Sequence, residues 1–463
     1  MKKFSLLFVG LFCSQILFAQ INIASLHNQN ADAENSFLNP SMIGNEYKNF
    51  KISFLPFYAN FGNNFTSAGD VINYVKEFNK KTDSIQVNTS TVNGIMNNLK
   101  KTNSIYAGAD VTMFNVGFNI HRKRKVFLEF QLSARQHIHA NISLPQELFY
   151  LFYKGNKYYE NQSIDILPKI NVLQYADYGI NVAKNFHLKL NQKTNLIIKP
   201  AVRFRYLVGT ANVNTQNSKL DFYTAPDGRY IEASLNGQVL QSYISEKTFS
   251  NLNTNSISSL ITKGAGTGFG VDFGVSAKMN DQISASVSMV DNGSIQFNEN
   301  AYTISSKYAY RWEGYDWNKN IDSIIIKKDM LNLDSTAGAY KVNIGSKLMI
   351  SGSYGFGKKA SFKRYLNHYH HTVSLFYVQG FQNYLNATKS PMLSLGYSYR
   401  LKNILNAGVN ASLGGLTRGS LGAHVHFGLG PMQFGFATNS LGYLVSKYNT
   451  RGVDLQFYSA FNF

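Results

Sequence analysis

The sequence is poor in cysteine, proline, tryptophan and charge. Its 463 residues include one cysteine, eight prolines and two tryptophans, and 15% are charged, whereas an ordinary soluble domain carries about 25% charged residues. The single cysteine, Cys13, lies in a segment that we expect to be removed, so disulfides and zinc–cysteine sites are excluded from the mature chain. No run after residue 19 approaches the ~18 consecutive apolar residues of a transmembrane helix, which excludes a helical membrane anchor.

Residues 1–19 have the organisation of a secretory signal peptide. Lys2 and Lys3 precede the apolar run 4–12, and the small residue Ala19 stands at a suitable cleavage position. We therefore expect cleavage after Ala19 and export of the remaining chain. The net charge of +19, which falls to +17 without Lys2 and Lys3, indicates either basic residues dispersed over loops or attraction to acidic partners, such as lipid phosphates or an anionic substrate. The export signal argues against a nucleic-acid partner.

Aromatic residues are abundant, with 34 Phe and 29 Tyr, and they recur in an alternating pattern. In KVFLEFQLSARQHIHANI, residues 125–142, the even positions are mostly apolar, while the odd positions from Glu129 onward are polar. A period of two residues is typical of a β-strand with one apolar face. At ~3.3 Å per residue, this strand is long enough to cross a bilayer at a tilt.

The same alternation recurs along the whole chain. It predicts an all-β protein, a transmembrane antiparallel β-barrel of about fourteen strands whose apolar side chains face lipid. The alternating runs include or begin near residues 51, 104, 125, 175, 195, 268, 282, 341, 371, 392, 406, 421, 431 and 451.

Three segments interrupt the alternation. Residues 68–101 have apolar residues at helical spacing and predict a short helical insert. Residues 212–263 are polar and contain the turn sequence APDG, and residues 300–338 contain both tryptophans. We expect these two segments to be long loops on the outer side, where outer-membrane barrels carry their long connections.

The sequence finishes on an alternating strand, RGVDLQFYSAFNF, residues 451–463, with Phe461 and Phe463 on its apolar face. In a soluble domain, an apolar strand at a chain end would fray and invite aggregation. A strand that closes a barrel has no free edge, and its apolar face can lie against lipid. We therefore expect this strand to close the barrel.

Before the first strand stands NSFLNPSMIG, residues 35–44. An Asn-Pro-small motif after a signal peptide, followed by alternating strands and a C-terminal Phe, resembles the FadL-like superfamily of outer-membrane barrels. The FAQ cleavage region and the Asn-, Lys- and Tyr-rich composition resemble its Bacteroidota members, which include the shuttle-type barrels of type IX secretion.

The resemblance implies a fourteen-stranded barrel over residues 51–463 and an N-terminal segment, residues 20–50, that folds inward as a plug containing Asn39 and Pro40. It also implies that Phe461 and Phe463 form a signal for the barrel assembly machinery. The Asn-Pro motif by itself also allows a simple turn in an extended periplasmic lead-in.

Several charged residues fall on the polar face of the predicted strands and would face the lumen. Paired with one another or with Asp272, they would brace the wall; unpaired, the basic ones would favour anionic cargo. The sequence allows both. The candidates are Glu129, Arg135, Lys199, Arg203 and Arg205.

Histidines occur in groups that could share a metal, because residues i and i+2 of a strand point the same way. His137 with His139 and His424 with His426 are such pairs, and HYHH, residues 368–371, is a third group. No carboxylate or cysteine at close spacing completes a ligand set. We therefore expect polar lumen or loop residues, with no metal and no cofactor. No catalytic motif surrounds any serine, and an enzyme is not expected.

Three tripeptides resemble the Asp-Ser/Thr-apolar acceptor of Bacteroidota O-glycosylation. They are centred on Ser84, Ser323 and Ser335, all in the segments that interrupt the alternation. These serines are candidate modification sites.

Two functions fit an exported barrel with a plug. The first is passive transport of hydrophobic or amphipathic small molecules through the plugged lumen, with such a molecule as ligand. The alternative is a non-transporting barrel that docks a protein partner in secretion or surface assembly. Both place the chain in the lipid bilayer of the outer membrane, delivered there by the barrel assembly machinery.

Overall fold

The structure, a computed structural model, describes residues 23–27, 32–43, 49–67, 69–70, 89–123, 125–215, 217–243, 264–312, 333–362, 366–385, 387–401, 404–442 and 451–463. The predicted signal peptide and its cleavage site lie outside these ranges. Within them, the α-helices are α1 (Ile23–Leu26), α2 (Asp32–Leu38), α3 (Thr89–Asn98) and α4 (Gln146–Lys154), and 3-10 helices span Pro40–Met42, Asn156–Tyr159 and Pro226–Gly228. No helix of the described ranges is long and apolar enough to cross a membrane.

The strands form one antiparallel sheet. They are β1 (Phe50–Phe54), β2 (Phe57–Asn63), β3 (Thr102–Arg122), β4 (Lys125–Pro145), β5 (Ser163–Asp165), β6 (Lys169–Lys184), β7 (Phe186–Lys189), β8 (Asn195–Asn214), β9 (Lys219–Thr224), β10 (Ile231–Tyr243), β11 (Gly266–Met279), β12 (Ile283–Val290), β13 (Gly293–Phe297), β14 (Tyr302–Trp312), β15 (Leu333–Ala337), β16 (Tyr340–Asn343), β17 (Lys347–Phe362), β18 (Leu366–Gly380), β19 (Met392–Leu401), β20 (Leu405–Gly414), β21 (Arg418–Leu429), β22 (Met432–Thr438) and β23 (Gly452–Asn462).

Eighteen of these strands close into a barrel that is fourteen strands around, because the two strands of each of four pairs continue one another along a shared side of the barrel and count as one. These pairs are β1 with β2, β6 with β7, β12 with β13, and β16 with β17. Pro56, which has no N–H for the ladder, marks the break in the first pair. The last strand, β23, pairs with both β1 and β2, as in Ile52↔Phe461 and Phe57↔Phe457. The prediction of about fourteen strands and of a closing terminal strand is confirmed.

The faces of the barrel follow the alternation read from the sequence. On β11, Phe269 and Phe273 point outward with 74% and 52% of their surface exposed, while Asp272 between them is fully buried. On β23, Asp454, Gln456 and Tyr458 are buried inside. The outer surface is therefore an apolar band, which suits contact with lipid chains, and the interior is polar.

The long connections lie at one end of the barrel and the short turns at the other, beside Phe50 and Phe463, which are hydrogen-bonded to each other. The described parts of the segments expected to be long loops contain strands, and residues 244–263 and 313–332 lie outside the described ranges. Residues 212–263 include β9 and β10, and residues 300–338 include β14 and β15. These strands pair as β9–β10–β14–β15, and β10 joins the barrel through β8. Their hydrogen bonds to one another, rather than an apolar face, make them strands, so alternation could not reveal them.

The helical insert predicted over residues 68–101 contains α3, whereas residues 71–88 lie outside the described ranges. The N-terminal residues 23–27 and 32–43, here called the lumenal segment, lie inside the barrel. Leu26 packs in a buried cluster with Val290, Met349, Phe376, Val378 and Met392 of the wall, and Leu38 and Met42 border the same cluster. This apolar contact places the lumenal segment against β12, β17, β18 and β19.

Candidate functional site: the barrel lumen

The Asn-Pro motif lies at the centre of the lumenal segment. Asn39 caps the 3-10 helix Pro40–Met42, since its Oδ1 accepts hydrogen bonds from the backbone N–H of Ser41 (3.0 Å) and from the Ser41 hydroxyl (2.7 Å). Pro40 at the first position has its φ preset for such a turn. The amide of Asn39 then donates to Ser286 Oγ of β12 at 2.8 Å. The motif is therefore both a local cap and an anchor to the wall.

Carbonyl groups of the lumenal segment are bound by side chains of three strands. The carbonyl of Pro40 accepts from Asn181 Nδ2 (3.0 Å), that of Ile43 from Lys199 Nζ (3.0 Å), and that of Leu38 from Ser288 Oγ (3.0 Å). A chain that leaves regular structure in a buried place must satisfy its backbone groups in this way. The wall is therefore built to receive this segment.

Two glycines of the wall leave the space that the segment fills. A Cβ on Gly274 would stand too close to Asn39 Oδ1 and 3.1 Å from Ser41 N, and a Cβ on Gly396 would overlap the imidazole of His27. Real Cβ contacts essentially never come below about 3.0 Å. Steric room for the lumenal segment therefore depends on the absence of side chains at these two positions.

Phe37 fixes the segment on the charged side of the lumen. The guanidinium carbons of Arg135 and Arg203 lie 4.0 Å and 4.7 Å from the centre of its ring. A guanidinium over an aromatic face is attracted by the ring quadrupole, more strongly where water is excluded. Phe37 is 5% exposed, so this contact is a buried one.

His27 fixes the segment on the opposite side. Its Nδ1 lies 2.6 Å from Ser374 Oγ and its Nε2 2.9 Å from Ser394 Oγ, while Ser398 donates to its carbonyl at 3.1 Å. Burial, with a smaller contribution from His424, lowers the pKa of the His27 imidazole to about 3. The ring is therefore neutral in its seat. Glu34 of the same segment is shifted the other way, since burial raises its pKa to about 7 against the opposing charge of Arg135.

The predicted lumenal charges are brought together on β4 and β8 and are paired. Lys199 Nζ lies 2.9 Å from Glu129 Oε2. Arg203 Nη2 lies 3.0 Å from Asp177 Oδ1, and Arg205 contacts the carboxylates of Asp272, Asp177 and Asp291 at 3.1, 3.2 and 3.1 Å. Arg135 is more distant from its partner, with Nη2 3.9 Å from Asp110 Oδ2. The sequence allowed either paired charges that brace the wall or unpaired basic residues, and in the structure the charges are paired.

A wall of serines lies on β12 and β17, separated from β8 by the single strand β11. Ser284 and Ser286 of β12 share hydrogen bonds with Ser353 and Ser351 of β17, at 2.6 and 2.7 Å. Between this wall and the lumenal segment is a cavity of about 220 Å³, lined also by Leu26, Met42, Ile197 and Phe376. The lining combines hydroxyl groups with apolar surface, which suits an uncharged or amphipathic molecule.

The cavity and a second apolar cluster lie at different ends of the lumen. The cavity reaches Lys278, Asp281 and Arg400, beside the short turns; Lys278 and Asp281 form an ion pair at 3.2 Å. The second cluster lies towards the long connections, where residues 384–385 of a connection fold inward. It comprises Leu173, Tyr175, Leu207, Ala265, Ile295, Phe297, Ala301, Val342, Ile344, Tyr384 and Leu385.

The histidine groups have different surroundings. His424 and His426 are buried in the lumen, and His426 Nδ1 lies 2.5 Å from Tyr458 Oη. His370 and His371 lie near the short-turn end, and His371 Nδ1 lies 2.6 Å from Tyr397 Oη. His137 and His139 lie within reach of Asp110, a carboxylate on the neighbouring strand.

Sequence reasoning did not single out Asp110, Asp177, Asp291 or Lys347. Lys347 Nζ lies 2.8 Å from Asp291 Oδ2 and extends the charged network to β17. A signal was present for two of these residues: Asp110 and Asp177 each stand on the polar face of an otherwise apolar or small-residue strand. Their partners come from other strands, so no local spacing identified the pairs.

The expected terminal signal residues lie on β23 and just after it. Phe463 is 61% exposed and its ring centroid lies 6.4 Å from that of Phe50, while Phe461 is opposite Ile52 in the ladder. Their role in assembly stays a prediction. Of the three candidate modification sites, Ser335 lies on β15, and Ser84 and Ser323 are outside the described ranges.

Comparisons with known proteins give one family and several similar folds. The model of a family of unknown function, DUF5723, matches residues 40–439. A search of curated protein sequences gave no match. Among solved structures, the chain is similar to the Ralstonia pickettii toluene transporter TbuX, at 9% identity and a TM-score of 0.42, with 92% of this chain and 93% of that chain covered.

Two further structures show the same level of similarity. The P. putida toluene transporter TodX has 7% identity and a TM-score of 0.38, with 93% of this chain and 94% of that chain covered. A Pseudomonas aeruginosa FadL homologue has 9% identity and a TM-score of 0.36, with 93% and 94% covered. These identities and scores are too low to transfer a function.

Proposed function

We propose that this chain, which belongs to the family of unknown function DUF5723, is an outer-membrane barrel that admits uncharged hydrophobic or amphipathic small molecules through a plugged lumen. The apolar outer band supports the membrane location, since only a closed barrel satisfies its backbone groups in lipid with strands. The lumenal segment, including Asn39 and Pro40, acts as the plug.

The observation that carries the proposal is the cavity beside the plug. Its lining of serine hydroxyls and apolar side chains, among them Leu26 and Phe376, offers contact area and a few hydrogen bonds to a small molecule. It adjoins the apolar contacts of Leu26 that help to seat the plug. A ligand that competes for these contacts would favour displacement of the segment, and so couple binding to opening.

The charges of the lumen argue for an uncharged ligand. Arg203 and Arg205 face carboxylates within 3.2 Å, and Lys199 faces Glu129. Basic groups whose charges are already balanced attract anions weakly, and removing their partners would leave buried charges unpaired. The cavity is lined mainly by serines and touches this network at Lys199, whose charge is balanced by Glu129. Such a lining suits a neutral molecule better than an anionic one.

A protein-docking barrel is the second candidate, favoured by one feature. The hairpin of β17 and β18 continues past the end of its neighbour: β12 stops pairing at Ile283↔Tyr354, whereas β17 and β18 pair on to Phe362↔Leu366. The hairpin therefore projects beyond the short-turn end, and the exposed Lys358 adds positive charge there. Membership of the FadL-like superfamily, and of its type IX secretion barrels in Bacteroidota, stays a prediction.

Two dyes that differ by one charge test the transport proposal. N-phenyl-1-naphthylamine is neutral, and 8-anilino-1-naphthalenesulfonate has the same aromatic skeleton with a sulfonate. In cells that lack their own copy, complementation with the wild-type chain should speed influx of the neutral dye and leave the anionic dye unchanged. Ser353→Trp, which fills the cavity, should remove most of the gain.

Leu395→Trp is the matched control, because Leu395 is 55% exposed on the outer face. It should behave as wild type. Equal influx with and without the chain, or full influx through Ser353→Trp, would exclude transport by this route. Native purification that then yields a stoichiometric protein partner, lost when Lys358 is changed to Glu, would establish docking instead.

A further inference from the structure

Asp110 of β3 and His137 of β4 stand directly opposite each other in the ladder, and His139 is opposite Gly108. All three side chains project into the lumen, where the side chains of His137 and His139 are 4% exposed and that of Asp110 is 15% exposed. One atom from each residue, two imidazole nitrogens and a carboxylate oxygen, can be chosen so that all lie within 4.8 Å of one another. We propose that these residues bind a divalent transition-metal ion of the zinc type.

The distances are compatible with one ion. Asp110 Oδ1 lies 2.5 Å from His137 Nδ1 and 3.2 Å from His139 Nε2. Zinc binds imidazole nitrogen and carboxylate oxygen at about 2.0–2.2 Å, so two donors on one tetrahedral ion stand roughly 3.3 Å apart. A small movement of His137 away from Asp110 would therefore bring their donor atoms to this spacing and admit the ion.

The groups around the three ligands orient them. The other ring nitrogen of His137, Nε2, lies 3.6 Å from Asp177 Oδ2, and the ring stacks on Tyr175 with centroids 4.5 Å apart. A carboxylate behind a histidine fixes the ring and strengthens it as a ligand. Arg135 approaches Oδ2 of Asp110, which leaves Oδ1 directed at the histidines.

Gly108 supplies the room for His139. A Cβ at position 108 would lie 2.7 Å from His139 Nδ1 and 2.9 Å from Asn60 Oδ1. The imidazole therefore fits over the backbone of β3 because no side chain is there, and its Nε2 is directed towards Asp110. An alanine at this position would displace the ring from the proposed site.

The donor set selects the class of ion. Two imidazoles with one carboxylate suit zinc and its neighbours among the transition metals, whereas calcium and magnesium prefer oxygen ligands. The partial exposure of Asp110 leaves one side open to the lumen, where water can complete four-coordination. The ion would join β3 to β4 next to Arg135 and Phe37, and so stiffen the wall that holds the lumenal segment.

Metal analysis of the tag-free barrel, purified from its own membrane in mild detergent, tests the site. We expect one zinc per chain by mass spectrometry of the metal content. After chelator treatment, zinc titrated by calorimetry should rebind. Asp110→Asn and His139→Gln should each weaken binding at least about tenfold, which is ~1.4 kcal/mol. Cobalt in place of zinc should give the absorption of a tetrahedral centre in the wild-type chain.

The double variant His424→Gln with His426→Gln is the matched control, because it removes a pair of the same spacing on β21 while leaving Asp110 in place. It should keep the zinc. No zinc in the wild-type chain, or equal loss from the control, would overturn the site and leave a hydrogen-bonded Asp–His pair. The cobalt spectrum decides the question in the wild-type chain even where Asp110→Asn does not assemble.

Discussion

At the scale of single residues, the lumen contains buried charges that are stabilised by ion pairs and hydrogen bonds with neighbouring groups. Lys199 reaches Glu129 and the carbonyl of Ile43, while Asn185 donates to the other oxygen of Glu129 at 2.7 Å. Glu129 is fully buried. Loss of one member of a buried pair leaves an uncompensated charge and destabilises strongly, whereas loss of both can be nearly neutral.

Lys199→Met should therefore lower the free energy of unfolding by about 3 kcal/mol, because it removes the cation that lies 2.9 Å from the buried Glu129 carboxylate. The double variant Lys199→Met with Glu129→Leu should recover most of that loss. Urea unfolding in detergent micelles, followed by far-ultraviolet circular dichroism, measures both. A double variant as unstable as the single one would contradict the pairing.

His27 gives the lumenal segment a dependence on pH. A folded pKa of about 3, below the unfolded value of about 6.5, means that only the neutral ring fits its seat between Ser374 and Ser394. The contribution of His27 to holding the lumenal segment in place is complete above pH 6.5 and is lost as pH falls towards 3. Over this range the ratio of seated to released segment falls about tenfold for each pH unit.

The labelling rate of a buried cysteine in the lumenal segment measures how often the segment leaves its seat. In a background without Cys13, Ala24→Cys places a thiol where the native residue is fully buried. Its labelling should accelerate as pH is lowered, after correction for the pH dependence of a free thiol. With His27→Gln the acceleration should be weaker, because no imidazole remains to be protonated. Glu34, which titrates in the opposite sense, is present in both proteins, so it does not affect their difference.

At the scale of elements, the lumenal segment fits against the wall because a glycine stands where a side chain would collide with the segment. Gly274 of β11 lies beneath Asn39 and Ser41, whereas a Cβ on Gly352 of β17 would meet only Ser284 O at an ordinary 3.8 Å. The same substitution therefore has different consequences at two positions of similar strands.

Gly274→Ala should displace the Asn39–Pro40 turn, and Gly352→Ala should not. The labelling rate of Ser36→Cys, a fully buried position in α2, should rise several-fold in the first variant and stay unchanged in the second. Single-channel recordings in planar bilayers should show more frequent opening for Gly274→Ala. Equal labelling in both variants would mean that the segment is not seated by this contact.

At the scale of the whole molecule, closure of β23 on β1 and β2 makes the hydrogen-bond ladder continuous. A barrel without edges resists detergent, since no strand can be removed without breaking two ladders. The native barrel should therefore migrate differently from the boiled chain on a denaturing gel. Identical mobility, together with release of the protein from membranes by carbonate, would contradict a membrane barrel.

The sequence by itself determined the strands and their faces. In residues 125–142 the alternation predicted which side chains of β4 point outward, and in residues 451–463 it predicted the closing strand. The physical reason is local: successive side chains of a strand point to opposite sides, and lipid on one side selects apolar residues at every second position. Fourteen such runs were sufficient to predict a barrel.

Only the tertiary structure decided which residues meet across the lumen. Asp110 joins His137 through the register of β3 with β4, Arg205 meets Asp291 from the break between β12 and β13, and His27 reaches Ser374 from the N-terminal segment. The strands β10 and β14 of the long connections likewise form by pairing with each other. Register, closure and the seating of a separate segment bring together residues far apart in sequence, and no spacing within one strand specifies those partners.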